Sequence, residues 1–162
     1  MSQHDQSALV VRNLSASYGS LVVCRNISLE VKPGEVVALI GPNGAGKTSF
    51  VGALAGAVAA QGEVTLGTTQ LDGRAIHERT RLGLATVPDN RGLFPPLTVA
   101  ENLRLGSMFV ARQRRDEVVE RALSYFDFLK QRGSTLAGSL SGGQQQMLAI
   151  AKCLAGDPRA LL

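Results

Sequence analysis

Gly41-Pro42-Asn43-Gly44-Ala45-Gly46-Lys47-Thr48 has the spacing of a phosphate-binding loop: Gly, four residues, Gly, Lys, then Ser or Thr. Each residue type has a physical reason. Gly41, Gly44 and Gly46 are expected to let the backbone take positive φ and pass close to a ligand. Backbone N–H groups then line a concave anion site. A helix opening near Lys47 adds unpaired N–H groups and the positive end of its dipole. Lys47 offers a point charge for the β- and γ-phosphates, and the Thr48 hydroxyl offers an oxygen to Mg²⁺. The flanks fit the same reading. Glu35-Val36-Val37-Ala38-Leu39-Ile40 is a short, β-branched apolar run that predicts a buried strand. Ser49 to Gly56 predicts a helix in spite of its glycines. Strand, loop and helix in that order are the context the motif requires.

The rest of the composition narrows the class. A length of 162 residues suits one domain with a real core, and 44% hydrophobic against 19% charged residues excludes a disordered chain. Aromatics are 4% and Trp is absent, so the core relies on aliphatic packing. No apolar run reaches the length of a membrane span, and Met1 to Ser7 lacks signal-peptide character; a cytoplasmic protein is expected. The net charge of +4 could suit nucleic acid or an anionic surface. Without basic residues interleaved with aromatics it reads instead as a solvated surface plus a nucleotide site, and no nucleic-acid partner is expected. Cys24 and Cys153 lack metal-type spacing and read as reduced, buried small residues. His4 and His77 have no ligand-spaced partner and read as surface residues.

Along the chain, Ala8–Leu14 predicts a first strand, Ser15–Gly19 a turn carrying Tyr18, and Leu21–Val31 a second strand. Lys32-Pro33-Gly34 is a turn signal. After the loop and helix, Gly62–Leu66 and Leu71–Gly73 suggest a strand and a turn. Arg74–Leu82 suggests a short helix, and Leu84–Pro88 a strand stopped by its proline. Asp89–Pro96 is a loop by composition. Thr98 with Glu101 forms a capping box that starts a helix. Arg112–Lys130 has helical spacing, with Val118, Val119, Ala122, Leu123, Phe126 and Leu129 on one stripe. Glu117 and Arg121 can pair there, and Arg112, Arg114 and Arg115 read as a wet face. Gln131–Leu140 reads as a linker. Ser141 starts a helix that runs to Leu154 or Ala155, and Gly156-Asp157-Pro158 ends it. The apolar run Ala160-Leu161-Leu162 begins another strand.

Leu140-Ser141-Gly142-Gly143-Gln144 is the second informative stretch. Two glycines before a helix make a close-approach start rich in N–H groups, and Ser141 can cap the helix or contact a phosphate oxygen. By itself this is equally a capped helix; downstream of a phosphate loop it is more specific. With Tyr18, the loop 41–48, Val87-Pro88-Asp89 and Leu97-Thr98-Val99-Ala100-Glu101-Asn102-Leu103, it makes the chain resemble the ATP-binding subunits of ABC transporters over nearly its whole length. Val87 to Pro95, Leu97 to Leu103 and Ser141 to Ile150 look most like the branched-chain amino acid uptake group.

The resemblance implies roles. ATP with Mg²⁺ is the implied cofactor, held by Tyr18, Gly41, Pro42, Asn43, Gly44, Ala45, Gly46, Lys47, Thr48 and Ser49. Tyr18 would stack on the adenine. Ser141, Gly142, Gly143 and Gln144 would bind the γ-phosphate held by a second ATP-binding subunit, in a head-to-tail pair sandwiching two nucleotides. Lys47 and Asp89 are the implied catalytic residues, and Thr48 and Asp89 the implied metal contacts. Most of the family places glutamine at position 89, and the branched-chain group often an acid instead, usually glutamate. Aspartate can also ligate Mg²⁺, but is one methylene shorter, and the residue fits equally as a turn residue after proline. The segment after Pro88 would touch transmembrane permease subunits, placing the protein on the inner face of the cell membrane. The family continues the last strand with acidic residues for Mg²⁺ and for the general base. On this comparison the chain is a truncated ATPase, expected to hydrolyse little alone.

The expected fold is α/β: a P-loop sheet with an antiparallel β layer at its edge and a helical insertion over about 90–140, all within one partial ATP-binding domain. The expected parent function is ATP hydrolysis that powers uptake of a small solute, branched-chain or other amino acids. Another ABC importer or exporter ATPase, and a non-catalytic nucleotide-binding regulatory module, are the alternatives.

Overall fold

The computed structural model describes residues 8–162. The reading of His4 lies outside them. The chain divides into two compact units, one through Leu84, joined by Leu162, and one of Ala85–Leu161.

The first unit is an antiparallel sheet with one helix on it. Strands β1 (Leu9–Tyr18), β2 (Leu21–Val31), β3 (Ala59–Leu66) and β4 (Thr69–Gln70) lie in the order β2-β1-β3-β4. Val11, Leu14 and Ala16 of β1 are buried, as are Val64 and Leu66 of β3; they meet Phe50, Ala53 and Leu54 of helix α1 (Lys47–Ala55). The alternation is interrupted by bulges. The register shifts between Val11 and Leu14, Asn13 and Asn26 take left-handed φ of 49° and 52°, and Ser15 Oγ accepts from the Asn26 N–H at 3.0 Å. Opposite, Gly62 has φ 126°, and a Cβ there would lie 2.7 Å from the Asn13 carbonyl oxygen, so only glycine fits. The strand runs through the turn expected at Ser15–Gly19, because this bulged ladder satisfies its backbone groups as far as Tyr18.

Glu35–Ile40 departs from expectation. No described segment pairs with it, and Val36 and Ile40 are 94% and 93% exposed. A β-segment needs a neighbour's N–H and C=O groups to form a ladder. Hydrophobic content alone therefore marked a candidate strand without supplying its partner. Helix α2 (Ile76–Arg81) completes this unit.

In the second unit, helices α3 (Val99–Gly106), α4 (Arg115–Ser124), α5 (Asp127–Lys130) and α6 (Gly142–Leu154) enclose an aliphatic core. Val99, Leu103, Leu129, Leu140, Leu148 and Ala151 are its buried centre. The helical stripe read over 112–130 is present but broken. A 3₁₀ turn covers Arg112–Arg114, and Phe126, at φ −142°, separates α4 from α5. The break lets Leu129 turn back into the core. Glu117 and Arg121 do approach, at 3.9 Å, but Arg121 and Arg114 both converge on Asp157 as well. Arg115 donates to the carbonyls of Val110 (3.0 Å) and Met108 (2.8 Å). Arg114 and Arg115 thus tie loops together and are not merely a wet face. The segment 131–140 is also structured: Val99 N–H donates to Thr135 O (2.9 Å) and Ala137 N–H to Leu97 O (2.9 Å). Strand β5 (Leu84–Ala85) pairs with β6 (Ala160–Leu161), where the final apolar run predicted a strand. Cys24 and Cys153 are free and half-buried, less enclosed than their type suggested. No helix among the described residues is long and apolar enough to cross a membrane.

Candidate functional site

Residues 41–48, read in the sequence as a phosphate loop, form a cradle in the first unit. Gly44 and Gly46 take left-handed φ of 85° and 82°, and Gly46 is the N-cap of α1. Gly41 is not in this region; the bend comes from the later two glycines. Ala45 N–H closes a turn onto Pro42 O at 3.3 Å, and Phe50 N–H onto Gly46 O at 2.8 Å starts the helix. The N–H groups of the first turn of α1 have no intrahelical carbonyl to meet, so they face the loop mouth. Lys47 Nζ donates to the carbonyls of Gly41 and Pro42, each at 2.8 Å, which holds its charge over the loop. Residues 41–45 and Thr48 are exposed, while Lys47 and Ser49 are half-buried. The loop is seated on β2: a Cβ on Gly46 would lie 2.7 Å from the Val23 carbonyl oxygen. Tyr18 ends β1 opposite Leu21, with 55% of its surface exposed. An exposed ring face on the same unit is what stacking on a flat ligand needs. Among the described residues no hydrogen bond joins it to 41–49.

In the second unit, Ser141 is the N-cap of α6. Its Oγ accepts from the Gln144 N–H (3.4 Å), and the Ser141 N–H donates to Gln144 Oε1 (3.1 Å), a closed capping box. The helix start leaves the Gly142 and Gly143 N–H groups for another acceptor. A Cβ on Gly143 would meet nothing within 4 Å, so the face is open. Asp89 is exposed in a turn closed by Arg91 N–H on Pro88 O (2.7 Å). That turn meets α6 through Arg91, whose Nη1 donates to Gln145 Oε1 at 2.7 Å. Farther along, Lys152 Nζ donates to Gly92 O at 2.5 Å and lies 4.6 Å from the Phe94 ring centre. Burial pushes the Lys152 ammonium below its ordinary range and the neighbouring Cys153 thiol above its own. Thus Asp89 and Ser141–Gln144 share one unit, and Gly41–Ser49 and Tyr18 the other. Arg91, Gln145 and Lys152 were not visible in the sequence: the Arg91–Gln145 contact spans 54 positions, and neither residue type marks its partner.

A family profile described as ABC transporter matches residues 24–162. The chain is 39% identical over 150 residues to the high-affinity branched-chain amino acid transport ATP-binding protein BraG of Pseudomonas aeruginosa, covering 92% of this chain and 64% of that protein. It is 33% identical to the probable branched-chain amino acid transport ATP-binding protein LivF of Archaeoglobus fulgidus, with the same two coverages of 92% and 64%. It therefore spans less than two thirds of the length of these relatives. Among solved structures, an ATP-binding subunit of an ABC transporter superposes with a TM-score of 0.78 at 29% identity, over 94% of this chain and 63% of that one. The ADP conformation of MJ1267, an ATP-binding cassette of an ABC transporter, superposes with a TM-score of 0.79 at 23% identity, over 96% and 67%, a likeness of fold. The profile match over most of the chain, on a fold shared with ATP-binding cassettes, places this protein in the ABC transporter family.

Proposed function

We propose that the chain is the nucleotide-binding part of an ATPase subunit that powers import of a small solute, with branched-chain amino acids as the favoured cargo. The observation that carries this is the cradle at 41–48: left-handed Gly44 and Gly46, a helix opening at Lys47, and the Lys47 ammonium held at 2.8 Å by two loop carbonyls. The concave N–H surface and the lysine suit a polyphosphate. ATP fits this donor set. Gly41, Pro42, Asn43, Gly44, Ala45 and Gly46 would follow its phosphates with their backbone, and Tyr18 would offer its exposed ring to the base. Lys47 releases its two carbonyls to take phosphate oxygens, and Ser49 adds a hydroxyl at the helix start. Among the described residues no cluster of three His, Cys, Asp or Glu could hold a metal. Mg²⁺ would rest on the exposed Thr48 hydroxyl together with the nucleotide's own oxygens; a metal role for Asp89 rests on the family resemblance alone. Mg²⁺ supplies charge neutralisation of the phosphates when bound.

On this reading Ser141–Gln144 serves a second ATP-binding subunit, residues of roughly 90–140 form a helical subdomain, and transmembrane permease subunits anchor the protein to the inner face of the membrane. The BraG and LivF names support the cargo. A second cargo reading has its own support: a putative 2-aminoethylphosphonate import ATP-binding protein of Salmonella typhimurium is 38% identical over 159 residues.

The test is calorimetric titration of MgATP into the chain and its Lys47→Ala variant. Loss of a charge-assisted contact of about 1.5–3 kcal/mol lowers affinity at least about tenfold. Equal affinity in the two proteins refutes the assignment of Lys47.

A further inference from the structure

We propose that Arg91 is a positioning residue: through Gln145 it sets the start of α6, so that the Asp89 turn and the Ser141–Gln144 turn move as one body. The inference deepens the reading of Ser141–Gln144 as a phosphate contact for a paired subunit, and rests on it. Several observations converge. Arg91 and Gly92 both have left-handed φ, 64° and 59°, and a residue with a Cβ reaches that region only at a cost in free energy. The conformation is held by contacts at its two ends. On one side Arg91 N–H closes the Pro88–Arg91 turn at 2.7 Å, with Asp89 inside it, and Gly92 N–H donates to Asn90 Oδ1 at 3.1 Å. On the other side Arg91 Nη1 donates to Gln145 Oε1 at 2.7 Å.

Gln145 is pinned in turn. Its Nε2 donates to Ala137 O at 3.2 Å, and because a carbonyl can only accept, this fixes which way the amide faces. Its side chain therefore bridges Arg91 to the turn that precedes Ser141. The guanidinium also lies against the first turn of the helix: a Cβ on Gly142 would come 3.4 Å from Arg91 Nη2. Two helical turns further on, Lys152 is on the same face as Gln145 and grips Gly92 O and the Phe94 ring. The loop is thus laid along one face of α6 and tied at both ends. A shift of the Asp89 turn pulls on α6 through Gln145 near its start and through Lys152 farther along.

The experiment uses the whole chain with MgATP as probe, and two readouts. The first is the amide ¹H–¹⁵N shifts of Gly142 and Gly143; the second is MgATP-driven self-association by sedimentation, beside MgATP affinity of the dilute monomer. Arg91→Ala and Gln145→Ala each move both glycine amides and weaken association by about tenfold, with monomer affinity kept within about twofold. The double variant is no weaker than either single, since both cut one path. Arg91→Lys, which keeps charge and one donor, recovers part of the loss. Unmoved glycine amides in Arg91→Ala, additive losses in the double variant, or a fall in monomer affinity equal to the fall in association each overturn the proposal. A parent chain whose amides respond to Arg91→Ala but which never associates with MgATP refutes instead the phosphate reading of Ser141–Gln144, and the proposed role of Arg91 falls with it.

Discussion

Arg79 is a buried cation at the far end of the phosphate-loop helix, and its removal is the sharpest test of what holds α1 in place. Only 6% of its surface is exposed. Its Nε donates to Arg74 O at 2.9 Å, and its Nη1 to Ala53 O at 3.0 Å and Leu54 O at 2.6 Å. Ala53 and Leu54 belong to the last turn of α1, where carbonyls lack intrahelical partners and the dipole favours positive charge. Gly56, at φ 83°, leaves the room: a Cβ there would lie 2.8 Å from Arg74 O and 2.9 Å from Arg79 Nε. Burial lowers the Arg79 pKa and so opposes the charge, with Asp72 offsetting part of that cost. Arg79→Met keeps the apolar stem and deletes every donor. The buried carbonyls of Ala53 and Leu54 and the part-buried carbonyl of Arg74 then lose a charged donor; Ala53 O keeps the Gly56 N–H at 3.1 Å, and the other two are left unsatisfied at about 1–3 kcal/mol each. The relief of a desolvated cation offsets part of the sum, leaving a net loss of about 3 kcal/mol, in the range for breaking a buried charged network. With a urea m-value of about 2 kcal/mol/M, the unfolding midpoint falls by about 1.5 M. Arg79→Lys recovers less than half, because one ammonium cannot span three carbonyls as a planar fork does. A midpoint shift of Arg79→Met below about 0.3 M, read by circular dichroism, refutes the argument: surface-sized effects are of that order.

Glu101 accepts from Thr98 N–H (2.8 Å) and Thr98 Oγ (2.7 Å), and these bonds, the backbone one foremost, hold its carboxyl below the usual range. A depressed folded pKa gives stability that is complete above the ordinary glutamate pKa and lost as pH falls through the folded value; the melting-temperature gap between the parent and Glu101→Gln therefore narrows on acidification from neutral pH, and a gap constant with pH refutes the box. For Tyr18, ring stacking needs a π face and not the hydroxyl. Tyr18→Ala lowers affinity for ATP and GTP alike, by about 1–3 kcal/mol on the scale of base stacking, and Tyr18→Phe leaves both unchanged in calorimetry; a large loss in the phenylalanine variant assigns the role to the hydroxyl instead.

What was legible in the sequence is what local chemistry encodes. The two capping boxes, Thr98 with Glu101 and Ser141 with Gln144, close as their spacing predicts, because donor and acceptor lie within one helical turn. Strand β2 spans Leu21–Val31 as read, bounded by the turn glycines Gly19 and Gly34 at φ 59° and 78°. The losses are non-local. Glu35–Ile40 has strand composition but no described partner. The break at Phe126 follows from Leu129 having to face the core, a demand made by residues of α3 and α6. Asp157 collects Arg114 and Arg121 from α4 and the turn before it, with its own backbone left-handed at φ 54°. Nothing in a run of arginines marks such a partner.

The phosphate loop itself separates the two kinds of information. Its motif predicts a strand before it, yet the cradle forms while Val36 and Ile40 stand in solvent. Two local causes suffice for its shape: left-handed Gly44 and Gly46, and the helix that opens at Lys47. A third cause fixes its place. Gly46 sits so close to Val23 O that any side chain there would overlap the β2 backbone, so the loop is registered on an antiparallel strand that precedes it in the chain. Conformation is thus written in the motif, whereas position is written in a contact 23 residues upstream, between Gly46 and Val23.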